Sequence, residues 1–209
     1  QYVAEKVGDE GLVYGIDLRP VSLSFPANVQ HAIADVFTWT PAELGPDVRF
    51  DLVLSDMAVP EGAAREKLDG FLERGGVLVR FAGSRLAGSA DDLTPVRLRR
   101  SGRVLGSALS WETPKRLAPF DAKSPFAGLH TTDEVTIARQ VLAEPEPGLA
   151  GRTWAQLADQ TPLVTAERRG KGLLVLFHIT ADTTWSNLPL SGLFPDMLRK
   201  IVTLAGEQA

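Results

Sequence analysis

The sequence predicts an α/β domain. Short apolar strands alternate with helix-spaced segments, several strands close on an acid, and glycine or proline marks the junctions. The first strand is 12–18, LVYGIDL, whose consecutive apolar residues suit burial on both faces and lead to Asp17. Residues 29–34 repeat the pattern before Asp35, and 50–54, FDLVL, do so before Ser55 and Asp56. Between 60 and 74, Ala64, Leu68, Phe71 and Leu72 recur at helical spacing, with Pro60 early and Gly75-Gly76 as the stop. Residues 77–81, VLVRF, supply a fourth strand. Together these predict a doubly wound, mainly parallel sheet, Rossmann- or flavodoxin-like.

The texture changes after Gly83. Residues 96–112 read as short strands turning at Ser101-Gly102, 113–132 as a Pro- and Ala-rich loop, and 135–142 as another strand. Residues 162–168 and 173–179 flank Gly170-Lys171-Gly172, a hairpin signal, and 190–205 form an amphipathic C-terminal helix. The expectation is one composite domain over 1–209. A β-rich insertion occupies 88–170, and 60–87 and 171–209 form the core around it.

Composition narrows the chemistry. The chain has 209 residues, 44% hydrophobic and 23% charged, which suits a folded domain with a real core. Its net charge of −4 argues against a general electrostatic grip on nucleic acid. With no cysteine it has no thiolate zinc site and no cysteine nucleophile. No apolar run approaches the ~20 residues of a membrane span, and Gln1–Gly8 lacks the apolar stretch of a signal peptide. The chain is therefore expected to be soluble, and cytoplasmic if made without a signal. Three scattered histidines, His31, His130 and His178, predict no metal site.

The segments QYVAEKVGDEGLVYGIDLRPV, IADVF and FDLVLSDMA resemble the FtsJ-type 23S rRNA ribose 2′-O-methyltransferases over residues 1–58. The resemblance implies an S-adenosylmethionine site in which Asp17 holds the ribose and Asp35 contacts the adenine. It also implies that Asp56 is the acid of a Lys-Asp-Lys-Glu catalytic set. The family's glycine-rich cofactor loop and first lysine would precede Gln1. The second lysine is expected in the strand after Gly75-Gly76, where VLVRF offers only Arg80, whose pKa is too high to deprotonate a hydroxyl. One acid of four does not make a catalytic set.

From Pro60 onward, GGVLVRFAG, DDLTPVRLRR, GSALSWETPKRLAPF and the stretch RTWAQLADQTPLVTAERRGKGLLVLFHITADTTWSNLPLSGLF resemble a different family. This is the class I glutamine-amidotransferase-like domain of bacterial membrane-anchored BatA-like proteins. True amidotransferases use a Cys-His-Glu set, and there is no cysteine here. His178 is followed by Asp182 and Trp185. It reads either as a base with an orienting acid or as a strand-end histidine bonded to a loop, and the second is favoured. Ser55 and Ser84 are the loosest of nucleophile candidates. Trp111, Trp154 and Trp185 read as core caps before ligand-groove residues. Arg97, Arg99, Arg100 and Arg103, and likewise Arg168, Arg169 and Lys171, read as solvated charge on hairpins.

The two resemblances meet near Met57–Glu61, between a strand and a helix, so the chain reads as a chimera, engineered or a natural fusion. The leading expectation is a non-catalytic α/β scaffold or interaction domain with no cofactor. Two alternatives stay open. One is a vestigial S-adenosylmethionine binder using Asp17, Asp35 and Asp56. The other is a hydrolase or ligand-binding module using His178. Strand ends plugged by loops or by Trp185 would favour the scaffold.

Overall fold

A computed structural model describes residues 13–17, 27, 29–33, 52–55, 58–59, 61–87, 92–99 and 108–206. The chain falls into two compact units, Gln1–Arg49 and Phe50–Ala209. In the first unit, β1 (Val13–Asp17) pairs with β2 (Val29–Ile33) in parallel, with Asp17 opposite Ile33.

The second unit holds a five-stranded sheet in the order β3 (Leu52–Ser55), β4 (Val77–Phe81), β9 (Gly172–Phe177), β8 (Pro162–Arg169), β7 (Thr153–Gln156). The β3–β4 and β4–β9 pairings are parallel; β9–β8 and β8–β7 are antiparallel. The architecture is mixed α/β with a mixed sheet, not the mainly parallel one expected. The reason is local. The chain enters β9 from β8 through the two-residue turn Gly170-Lys171, and a hairpin can only join antiparallel neighbours. Gly170 opens that turn at φ 60, a conformation that favours glycine.

Strands β7 and β8, expected inside the β-rich insertion, are thus members of the sheet. What stands apart is the antiparallel pair β5 (Ala108–Arg116) and β6 (Thr136–Val141), whose register shifts between Ser110 and Lys115. The expected turn at Ser101-Gly102 lies outside the described residues.

Strands β4 and β9 are buried along their whole lengths, and alternation sends their side chains to two faces. On one face Val77, Val79, Phe81, Val175 and Phe177 pack against Met197, Leu198 and Ile201 of α4 (Leu193–Gly206). Phe81 and Phe177 stack at 5.2 Å, and Phe194 of α4 meets Phe177 edge-on at 5.6 Å. On the other face Leu78 and Leu174 meet Leu72 of α1 (Ala63–Glu73) and Leu93. Helix α1 begins at Ala63, later than the early position expected for Pro60, and its first helical bond runs from Glu66 N–H to the Gly62 carbonyl. Two short helices, α2 (Ser84–Ala87) and α3 (Leu149–Arg152), interrupt the connections.

Residues 92–95 have no regular structure of their own, so their carbonyls need donors from elsewhere. Arginines supply them. Arg169 donates to the Asp92 carbonyl (3.2 Å), Arg80 to that of Leu93 (3.0 Å) and Arg152 to that of Pro95 (2.7 Å). Arg65 bonds the Asp92 carboxylate, which lies below the usual carboxylate range on that account. Arg97 is exposed and reaches Glu146 at 3.3 Å. Arg100 and Arg103 lie outside the described residues.

Glycine is sterically required at Gly172. A Cβ there would lie 2.4 Å from the Leu72 carbonyl oxygen and 2.5 Å from that of Gly76. Both obstacles are backbone and cannot rotate away. Gly172→Ala is expected to lower unfolding free energy by about 1–3 kcal/mol or more, whereas Gly151→Ala, which meets nothing, stays within about 1 kcal/mol. Paired urea denaturation curves check this.

Candidate functional site

Open α/β sheets bind ligands beyond the C-terminal ends of their parallel strands, so that edge of β3, β4 and β9 is the place to look. Ser55 ends β3 and stands in register with Arg80. Arg80 is in register with Leu176, and Leu176 with Thr165. Ser55, Arg80, Leu176 and Thr165 therefore form one row across four strands on the α1 face. His178 follows directly on β9.

His178 is 0% exposed, and all of its polar groups are engaged. Its N–H donates to the Leu163 carbonyl, and its carbonyl accepts from Val141 N–H, each at 2.8 Å. Ring Nδ1 lies 2.8 Å from the Val141 carbonyl oxygen, which can only accept, so Nδ1 carries the proton. Nε2 then accepts from the Thr165 hydroxyl at 3.0 Å. Burial pushes the imidazole down to about 4, against the smaller pull of the Val141 carbonyl toward the protonated form. The ring is neutral and enclosed.

The acid that follows it is used elsewhere. Asp182 is exposed, and its carboxylate accepts the Thr184 N–H at 2.8 Å, which holds its pKa below the ordinary value. His178 and Asp182 do not form a base-and-acid pair. Instead Asp182 shapes a turn, its carbonyl accepting from Trp185 N–H at 2.9 Å. That turn drives Trp185, 8% exposed, into a cluster with Ala82, Leu86 and Ala87 after β4, Leu176 on β9 and Val141 on β6. The ends of β4 and β9 are covered by packed side chains.

The remaining candidates are placed as follows by the described residues. Asp17 ends β1 in the first unit. Asp35 and Asp56 lie outside the described residues. Ser84 begins α2, His31 lies on β2, and His130 is an exposed loop residue. Trp111 and Trp154 are half-buried against the main core. An open cleft of about 260 Å³ is lined by Trp154, Glu167, Arg168 and Leu204, at the hairpin end of β8 and β9 and away from His178. Among the described residues no group of three or more His, Asp or Glu could hold a metal ion, and no helix is long and apolar enough to cross a membrane.

The sequence reading passed over Thr165 and the burial of Arg80. Arg80 was visible as the lone polar residue of VLVRF, and Thr165 as the polar residue within the apolar stretch LVTA. What the sequence did not show was the register that sets them in one row.

No protein-family model matches the chain. A stretch of 61 residues, 28% of this chain, is 43% identical to the ribosomal RNA large subunit methyltransferase E of Desulfatibacillum aliphaticivorans. The match spans 28% of that enzyme's length. It agrees with a partial FtsJ-like segment in this chain. Among solved structures, cytoplasmic protein STM3548 from Salmonella typhimurium is similar at TM-score 0.58 and 12% identity, over 84% of this chain and 80% of that one. Cytoplasmic protein STM1381 from Salmonella typhimurium LT2 is similar at 0.52 and 11%, over 74% and 69%. At such identities the likeness is one of fold.

Because Nε2 is buried with Thr165 as its donor, Thr165→Val strands an acceptor in the core. The variant is expected to lose about 1–3 kcal/mol of stability. Thermal unfolding beside Thr165→Ser, which keeps the hydroxyl, separates this from a change in packing.

Proposed function

We propose that this chain is a non-catalytic α/β scaffold or interaction domain, doubly wound in plan and a composite of methyltransferase-like and amidotransferase-like pieces. The observation that carries the reading is the enclosure of His178. It is neutral, fully buried and bonded only to Thr165 and to backbone, while Trp185 closes the strand ends beside it. A general base needs to reach a substrate proton, and this ring reaches none. Arg80 adds to the case. It stands in the strand where the methyltransferase resemblance expects a lysine, and its guanidinium holds the Leu93 carbonyl. The composite reading draws on the pairing of β3 with β4. Residues 52–55 belong to the methyltransferase-like stretch and 77–80 to the other, yet they share four register positions in one sheet. A helix on each face of β4 and β9 supports the doubly wound plan.

A second reading, a vestigial S-adenosylmethionine binder, is favoured by the 61-residue match. In it Asp17 would hold the ribose from the C-terminal end of β1, with Asp35 and Asp56 as further polar contacts. The cofactor supplies a methyl group for transfer when bound. The described residues place only Asp17 of the three, at a strand end.

Calorimetric titration with S-adenosylmethionine separates the readings. The scaffold reading expects no heat at millimolar ligand from a protein that still melts cooperatively. Micromolar binding that disappears in Asp17→Ala would establish the second reading instead.

A further inference from the structure

The β5–β6 ladder meets the rest of the second unit at the end of β5, where the Arg116 carbonyl accepts from Ala158 N–H at 2.9 Å and Lys115 lies 3.6 Å from Asp159, and along β6, where the contacts are of unequal quality. Ala138 and Arg139 N–H both turn to the Trp185 carbonyl, at 2.7 and 3.1 Å. Thr136 N–H donates to the Asn187 side chain at 2.7 Å. Gln140 is fully buried on β6, yet neither of its amide atoms has a hydrogen-bond partner. Ser186, opposite Ile137, buries a hydroxyl without a partner. Unpaired buried polar groups weaken an interface. At the other end of β6 the attachment is complete: Val141 is held from both sides, by the His178 carbonyl and by ring Nδ1–H. His178 in turn is anchored to β8 by its own N–H and through Thr165.

We propose that His178 is a proton-sensitive pin that fastens the β5–β6 ladder to the five-stranded sheet and releases it in mild acid. Among the described ties the pin is the one whose protonation changes in mild acid. The others are backbone and amide hydrogen bonds, the packing of Ile137 and Val141, and the Lys115–Asp159 ion pair, whose carboxylate burial pushes up but the Thr161 hydrogen bonds and Lys115 together hold below its ordinary pKa. Charged residues on the elements around it are Arg139 on β6, Arg80 on β4, Glu167, Arg168 and Arg169 on β8 and Asp182 in the following turn, and the ring's bonds go to Thr165 and the Val141 carbonyl instead. Asp182 is ionised throughout the range concerned, because the Thr184 N–H holds its pKa down. When the ladder lifts, water reaches the ring and it regains its ordinary affinity for a proton. The ring's pKa is about 4 when closed and 6.5 when free. The opened state therefore binds more protons between those values. The closed state's advantage is complete above pH 6.5 and is lost as pH falls toward 4. From pH 7 to pH 5 the opening equilibrium rises about 20-fold.

Amide hydrogen exchange, corrected for intrinsic rates and compared at pH 7 and pH 5, tests this on the intact chain. The expected result is a fall of about 20-fold in the protection of residues 136–141. Residues 77–81 and 173–177 should change less than about threefold. In His178→Gln the pH dependence of residues 136–141 should disappear. Equal loss in β4 and β9 would show global unfolding and overturn the pin, as would unchanged protection of β6 or an undiminished pH response in His178→Gln. The wild-type comparison decides the matter even if the variant does not fold.

Discussion

The structure rests on the pairing of β4 with β9. Two adjacent strands, one from each end of the second unit, are buried throughout and, apart from Arg80, apolar. Such strands must be covered on both faces, and that requirement recruits most of the remaining chain. Helix α4 and its phenylalanine cover one face. Helix α1, Leu93 and the 82–87 segment cover the other, with Val141 and Trp185 completing it. At about 25 cal/mol for each Å² of apolar surface removed from water, covering these faces is the largest favourable contribution the unit has.

The same requirement shapes the chemistry. A sheet that binds a ligand leaves the ends of its parallel strands open and lines them with polar groups. Here the described groups at the ends of β4 and β9 face inward. His178 bonds Thr165 and the Val141 carbonyl, Arg80 bonds the Leu93 carbonyl, and Trp185 lies over Leu176. Four arginines hold the irregular segment 92–95, and Arg169, one of the residues read as solvated charge, is among them. These buried polar residues join the layers of the unit.

The elements legible in the sequence were those with a local cause. Helix α1, strand β4 and the β8–β9 hairpin follow from helical spacing, an apolar run and Gly170-Lys171-Gly172. The pairings of β7 with β8 and of β4 with β9 were not legible, because strand order depends on contacts distant in sequence. That is why the sheet is mixed and the insertion is smaller than expected. His178 shows the same limit. Its position after a strand was plain, and the bonded-histidine alternative was the favoured one. Its actual partners, Val141 and Thr165, lie on two other strands. Asp182 was four residues away and looked like a partner, yet its own turn claims its carboxylate.

The central claim is that the strand ends carrying His178 are closed. Diethylpyrocarbonate labelling of the folded protein, read by peptide mass spectrometry, tests it directly, because exposed His130 serves as an internal reference. The account predicts that His130 is modified while His178 stays unmodified until denaturant is added. Modification of His178 in the folded protein at a rate comparable to His130 would contradict it, and would return that imidazole to the list of groups able to meet a substrate.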